Sequence, residues 1–323
     1  MNTLENKQRL DYIDIFRSFG IILMVMGHID FGYRFDYFIH AFHMPMFFFV
    51  SGFFYKSKDM TIRNFICKKA RTLLLPYIVF GLCHYIVSVL LYGFSMKPLI
   101  HLFTINTDGI PIAGALWFLT ALFFTDFIYF LLDKYEKIWL IPLFVLVGSF
   151  ADQVLPYALP WALSAAFVGL GLYWFGYMTK RFEEKLHFVL NMPIWCCIIV
   201  GAITTFLIFL NGYVNMREGK YAWIPLFWVN VLLAIFVGIS ISKLIDRWLR
   251  NCKLKVWLLG VGKNSIVYLC LNQIVILCVT KIFGVIQLPG YINKILILAI
   301  SLCILFVASI ILTKTKLKIL LGR

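Results

Sequence analysis

Arg17 and His28 stand eleven residues apart inside one apolar run. At 100° per residue that interval is three turns plus roughly 20°, so on a helix the two share a face, about 16 Å apart along the axis. A guanidinium holds phosphate or carboxylate through a rigid fork of donors. An imidazole takes or gives a proton near neutral pH. Ionisable groups inside apolar runs are costly and by default mark function. The plainer alternatives are a snorkelling arginine at a helix end and an interfacial histidine bonded to a neighbour. Asp126, in a later apolar run, reaches the depth of Arg17 and is one candidate counter-ion. Asp14, one turn before the arginine, is the local alternative.

A second apolar run begins Phe38-Ile39-His40-Ala41-Phe42-His43-Met44-Pro45. Pro45 has no N–H to donate and disfavours helix at Met44, so the backbone here is expected to unwind. Inside a membrane that is tolerated only where protein covers it or a cavity is lined. His40 and His43 fall at about the depth of His28. Three histidines, with Asp30 or Asp36 as a fourth ligand, admit a zinc site, but a titrating pocket without metal is the reading preferred. Further on, the tract KSKDMTIRNFICKKARTLLLPY runs from Lys56 to Tyr77. Its basic residues suit anchoring to anionic lipid. Lys68, Lys69 and Arg71, pressed against the next apolar run, also suit a nucleotide or coenzyme phosphate.

These residues need elements to hold them, and composition says of what kind. Of 323 residues, 62% are hydrophobic and 14% charged, against about 45–50% and about 25% in ordinary soluble domains. A water-soluble fold cannot hide that excess. The net charge of +15 sits in short tracts between apolar runs, which points to the bilayer surface and away from nucleic acid. At about 20 residues per span, ten spans are expected, near 13–31, 37–55, 73–93, 112–132, 138–152, 159–179, 194–211, 223–243, 264–284 and 291–312. The expected fold is therefore all-α, a polytopic integral membrane helical bundle forming a single transmembrane domain over 1–323. Alternating the connections puts only Arg34, Lys97, Arg217, Lys220, Lys281 and Lys294 on one side. The rest of the 30 Lys and Arg, Arg17 apart, lie on the other, Lys7, Arg9 and Lys58 among them. By the positive-inside rule both termini then face the cytoplasm. Most of the eight cysteines lie in apolar runs without a C-x-x-C pair and read as small hydrophobes. The first run carries no A-x-A-like cleavage site and reads as an uncleaved span.

Arg17 followed by ten residues and His28 resembles the signature of the membrane acyltransferase-3 family. The stretch Phe42-His43-Met44-Pro45-Met46-Phe47-Phe48-Phe49-Val50-Ser51-Gly52-Phe53 is similar to its second-span pattern, and Lys68-Lys69-Ala70-Arg71-Thr72-Leu73-Leu74-Leu75-Pro76-Tyr77 to its basic entry into the third. Leu116-Trp117-Phe118-Leu119 and Gly262-Lys263-Asn264-Ser265 resemble its fucose 4-O-acetylase-like branch. There are departures. Lys68 stands where the family usually has the first arginine of Arg-x-x-Arg, and Asn272 where many members have a histidine, so that position receives no proton-transfer role.

The resemblance implies transfer of an acyl group, usually acetyl, from cytoplasmic acyl-CoA to a carbohydrate or glycolipid hydroxyl at the outer face of a bacterial cell membrane. The residues fit that expectation. Arg17, Lys68, Lys69 and Arg71 would hold the CoA, with acetyl-CoA as co-substrate and no metal expected. An extended pantetheine arm has about the reach that separates Arg17 from His28. His28 is the expected general base, an acyl-histidine intermediate being the alternative. His43 is expected to orient His28 or steady the oxyanion. Trp117 offers either a wall for the acceptor or an aromatic-belt anchor. The competing function is a membrane transporter or flippase for a polysaccharide precursor, which also needs intramembrane charges and a broken helix.

Overall fold

The structure, a computed structural model, describes residues 10–56, 59–108, 110, 112, 114–250, 252–283 and 289–323. Lys7, Arg9 and Lys58 lie outside them. The chain runs through α1 (Asp11–Ile29), α2 (Tyr33–His40), α3 (Pro45–Phe53), α4 (Ile62–Lys69) and α5 (Leu75–Tyr92). There follow α6 (Lys97–Phe103), α7 (Trp117–Lys134), α8 (Ile141–Val154), α9 (Leu163–Arg181), α10 (His187–Leu190) and α11 (Ile194–Asn211). The last helices are α12 (Ile224–Trp248), α13 (Lys253–Lys263), α14 (Ser265–Phe283) and α15 (Gly290–Lys314). Among the described residues the only strand-like pairing is one bridge between Asn215 and Lys220.

Seven helical stretches among the described residues are long and apolar enough to cross a membrane: Asp11–Ile29, Ile62–Tyr92, Pro160–Arg181, Ile194–Asn211, Ile224–Trp248, Ser265–Phe283 and Gly290–Lys314. Three of the ten expected spans fall short of that standard, each for a local reason. The second is cut into α2 and α3. The fourth, α7, carries Asp126, Asp133 and Lys134. The fifth, α8, has only 14 residues. Large apolar side chains stand exposed along the long helices, Ile198, Ile199, Phe206 and Leu210 of α11 among them. Water would not tolerate such a surface, whereas lipid does. This is a multi-pass membrane protein.

Two proline effects shape the helices that carry the chemistry. After α2 the chain makes a turn over residues 41–44, and Pro45 opens α3 at a position where its missing N–H costs nothing. Ala41, His43 and Met44 in the turn are buried, so the irregular backbone is shielded from lipid. In the third pass, Pro76 would collide with the carbonyl four residues back. The helix widens into a π turn over Ala70–Leu74, just ahead of that point.

Close backbone approaches fix the rest. A Cβ on Gly176 of α9 would overlap the Phe49 carbonyl of α3, and one on Gly52 would overlap the Tyr173 carbonyl in return. Small residues of this kind let membrane helices pack at van der Waals contact. Gly262 of α13 is likewise pressed onto the Asp14 carbonyl of α1. These glycine contacts pin α1 and α3, which between them bear Arg17, His28 and the chain following His43.

Candidate active site

At one end of the bundle a cavity of about 90 Å³ is lined by His28, His40, His43, Trp117, Asn215 and Arg217, with Met24, Met44 and the Gly114–Ala115 backbone beside them. His28 lies in the last turn of α1 and His40 closes α2. His43 sits in the turn that Pro45 enforces. The His40 and His43 rings stand nearly perpendicular, centroids 5.1 Å apart. Each turns Nδ1 back onto its own backbone, His40 to the Asp36 carbonyl and His43 to the Ile39 carbonyl, both at 2.7 Å. A larger cavity of about 300 Å³ between α1, α11 and α12 is lined by Phe16, Phe42, Ile208 and similar side chains. Its lining carries no ionisable side chain, so the smaller cavity is the candidate for chemistry.

His28 is held from outside its own helix. Its Nδ1 lies 3.1 Å from the side-chain nitrogen of Gln273 on α14. The Gln273 carbonyl oxygen accepts the Gly114 backbone N–H at 2.7 Å. The Gly114 loop is itself tied down by buried His84 of α5, whose two ring nitrogens lie 2.8 Å from the Ile112 and Cys270 carbonyls. Arg217 enters from the tight Asn215–Lys220 turn. Its backbone N–H is capped by the Asn215 side chain at 3.1 Å and its Nε donates to the Thr107 carbonyl at 2.7 Å. Burial lowers its pKa from the ordinary arginine value, and Glu218 and Asp108 oppose that.

Trp117 is 4% exposed and forms part of the cavity wall. Among the described residues no group of three or more His, Cys, Asp or Glu is placed to hold a metal ion.

The other end of α1 is basic. Arg17 pairs with Asp14 at 3.6 Å and its guanidinium lies 5.3 Å from the Phe54 ring centroid. Asp126 is not its counter-ion. It is 1% exposed, accepts the Lys69 ammonium at 2.8 Å and takes the Tyr173 hydroxyl, also at 2.8 Å. Lys69 points inward to this pair, whereas Lys68 and Arg71 lie exposed. The basic motif thus divides between a structural ion pair and two outward-facing cations. Sequence reasoning missed a further group here. Lys180 lies over the Phe53 ring and Lys243 over the Tyr12 ring, while Glu183 accepts from Lys180 and from the Tyr12 hydroxyl. Burial pushes the Glu183 carboxyl up, but those two donors bring it below its ordinary value.

His40 entered the sequence reading as one of three histidines at a common depth but received no catalytic role, and Gln273 and Asn215 did not enter it at all. One available signal was Arg217, an arginine on the side of the bundle that is poor in cations. Gln273 in a long apolar run was the other.

An apolar multi-helix bundle with a polar histidine cavity at one end and cations at the other fits a membrane acyltransferase. Residues 10–314 match the acyltransferase-3 family, described as an acyltransferase domain, and the chain belongs to that family. Neither the curated proteins nor the solved structures return a match.

Proposed function

We propose that this membrane acyltransferase moves an acetyl group from cytoplasmic acetyl-CoA to a carbohydrate or glycolipid hydroxyl at the outer face of a bacterial cell membrane. In this reading α2 with α3, α7 and α8 complete ten passes, and both termini face the cytoplasm. The observation that carries it is the unbroken helix α1. It holds Arg17 among cations and aromatic rings at one end and His28 in a three-histidine cavity at the other, eleven residues away.

Arg17, Lys68 and Arg71 would bind the CoA phosphates, while Lys69 stays in its ion pair with Asp126. An extended pantetheine arm would carry the thioester to His28, so the charged end of the coenzyme need not cross lipid. In the cavity His28 and His43 handle the proton and the developing oxyanion. Trp117 and Arg217 face the acceptor, an indole for a sugar ring and a fork of donors for its hydroxyls. The Trp117 wall and the Gly262 contact with α1 give a physical role to both stretches that resemble the fucose 4-O-acetylase-like branch. Family membership does not favour the transporter alternative.

The test is release of free CoA from acetyl-CoA by purified protein in lipid nanodiscs, with acetyl-CoA binding measured on the same samples. Native protein should turn over slowly without acceptor. His28→Ala should lose at least about a hundredfold of that rate while keeping its affinity for acetyl-CoA. Absence of binding by native protein would overturn the proposal and reinstate the transporter.

A further inference from the structure

Gln273 touches the site from behind. It does not line the cavity, yet it is the partner of His28, and its own orientation can be settled from chemistry. The Gly114 backbone N–H, 2.7 Å away, can only donate, so the Gln273 atom facing it is the carbonyl oxygen. The amide nitrogen is then the atom 3.1 Å from His28 Nδ1. That nitrogen carries only donor hydrogens, so His28 Nδ1 must be the accepting, unprotonated nitrogen of a neutral ring. The opposite holds for His40 and His43. Their Nδ1 atoms face backbone carbonyls, which only accept, so both rings carry the proton on Nδ1 and leave Nε2 with a lone pair.

From this we infer that Gln273 is a positioning residue that holds His28 in the Nε2–H tautomer, making His28 the hydrogen-bond donor of the reaction and His43 its base. The inference rests on the acyl transfer proposed above and reassigns its proton-handling roles, replacing the expectation of His28 as base. The acceptor hydroxyl gives its proton to His43 Nε2 as its oxygen bonds the thioester carbon. His28 Nε2–H donates to the thioester carbonyl oxygen as it gains negative charge, and is not consumed. The carbon–sulfur bond breaks with its electron pair on sulfur, and the His43 imidazolium returns the proton to the CoA thiolate. Acid, base and oxyanion donor are thereby supplied without any further reactant.

Two measurements test it on the full chain in nanodiscs labelled with ¹⁵N-histidine. The first reads the His28 ring nitrogens, assigned by their loss in His28→Gln, because protonated and unprotonated nitrogens resonate far apart. Native protein should show Nε2 protonated and Nδ1 bare. A protonated Nδ1 would overturn the inference, whatever the turnover. The second uses Gln273→Glu, which keeps the shape and the acceptor for Gly114 but offers His28 an oxygen in place of an N–H. The ring should switch to Nδ1–H, and acetyl-CoA turnover should fall about a hundredfold, the effect of losing one oxyanion donor, with acetyl-CoA affinity unchanged. A switched ring with undiminished turnover would make His28 the base and overturn the division of roles. If no sample turns over acetyl-CoA, the acyl-transfer reading fails while the tautomer measurement still decides the role of Gln273.

Discussion

Replacing Asp126 by asparagine separates a structural lysine from a coenzyme-binding one. The carboxylate is 1% exposed and 2.8 Å from Lys69 Nζ, whose side chain is 26% exposed. At an effective dielectric of about 20 the gross Coulomb attraction at that distance is about 6 kcal/mol. Most of it offsets the desolvation of the two groups, and breaking such a pair costs about 3–5 kcal/mol when both are fully buried. Lys69 retains some access to solvent, so the lower end applies. The substituted amide could keep its one oxygen on Tyr173 and turn an N–H₂ to the ammonium, or turn that neutral oxygen to the ammonium and leave the Tyr173 hydroxyl without its acceptor. The expected loss is therefore about 2–3 kcal/mol. In a chain of this size each kcal/mol is worth about 2 °C, giving a fall of roughly 5 °C in thermal unfolding in nanodiscs. Lys69→Met should cost a similar amount, and the double variant Asp126→Asn with Lys69→Met should cost well under the sum of the two. Acetyl-CoA affinity should hold in all three, and should fall in Lys68→Ala with Arg71→Ala. Additive stability losses, or a Lys69→Met variant of native stability that no longer binds acetyl-CoA, would refute the structural assignment of Lys69.

Two shorter predictions concern the frame and the cavity mouth. Gly176→Ala should destabilise by about 1–3 kcal/mol or more, because the obstructing atom is the Phe49 carbonyl and cannot rotate away. Gly201→Ala, whose Cβ meets nothing closer than Val237 Cγ1 at 4.0 Å, should be neutral or slightly stabilising; equal melting temperatures for the two would dismiss the close-packing argument. Arg217→Met should lower acetyl-CoA turnover while leaving acetyl-CoA affinity intact, and weakened binding would instead place the donor phosphates at the histidine end.

What the sequence disclosed depended on whether the information was local. The interval from Arg17 to His28 is a helix period, and α1 is an unbroken helix that realises it. Pro45 announced the break before α3, and the apolar runs announced most of the helices. Composition could not show that α7 owes its Asp126 to Lys69 and Tyr173. That pairing depends on how three distant segments pack, and the depth argument that offered Asp126 to Arg17 was blind to azimuth. The basic motif was legible as charge but not as direction, since the inward turn of Lys69 and the outward turn of Lys68 and Arg71 depend on which face meets α7 at the π turn. Gln273 and Arg217 come from segments about 245 and 189 positions beyond His28, a separation at which no periodicity speaks.

The same separation explains how three chemically identical rings come to differ. A histidine near the end of a short helix can fold Nδ1 back to the carbonyl four residues earlier, a partner its own sequence always supplies. His40 and His43 do so, and the result is a lone pair left on Nε2. His28 ends a long helix and takes its Nδ1 partner from α14, which presents a donor because Gln273 has already committed its oxygen to Gly114. One backbone N–H, in a loop steadied by His84, therefore decides which end of His28 carries the proton. A substitution at Gly114 acts on the chemistry through that chain: a Cβ there would meet the Gln273 amide nitrogen at 2.7 Å and the Arg217 guanidinium at 3.2 Å. Alanine at that position would push on the two side-chain ends, Gln273 and Arg217, that set the arrangement around His28.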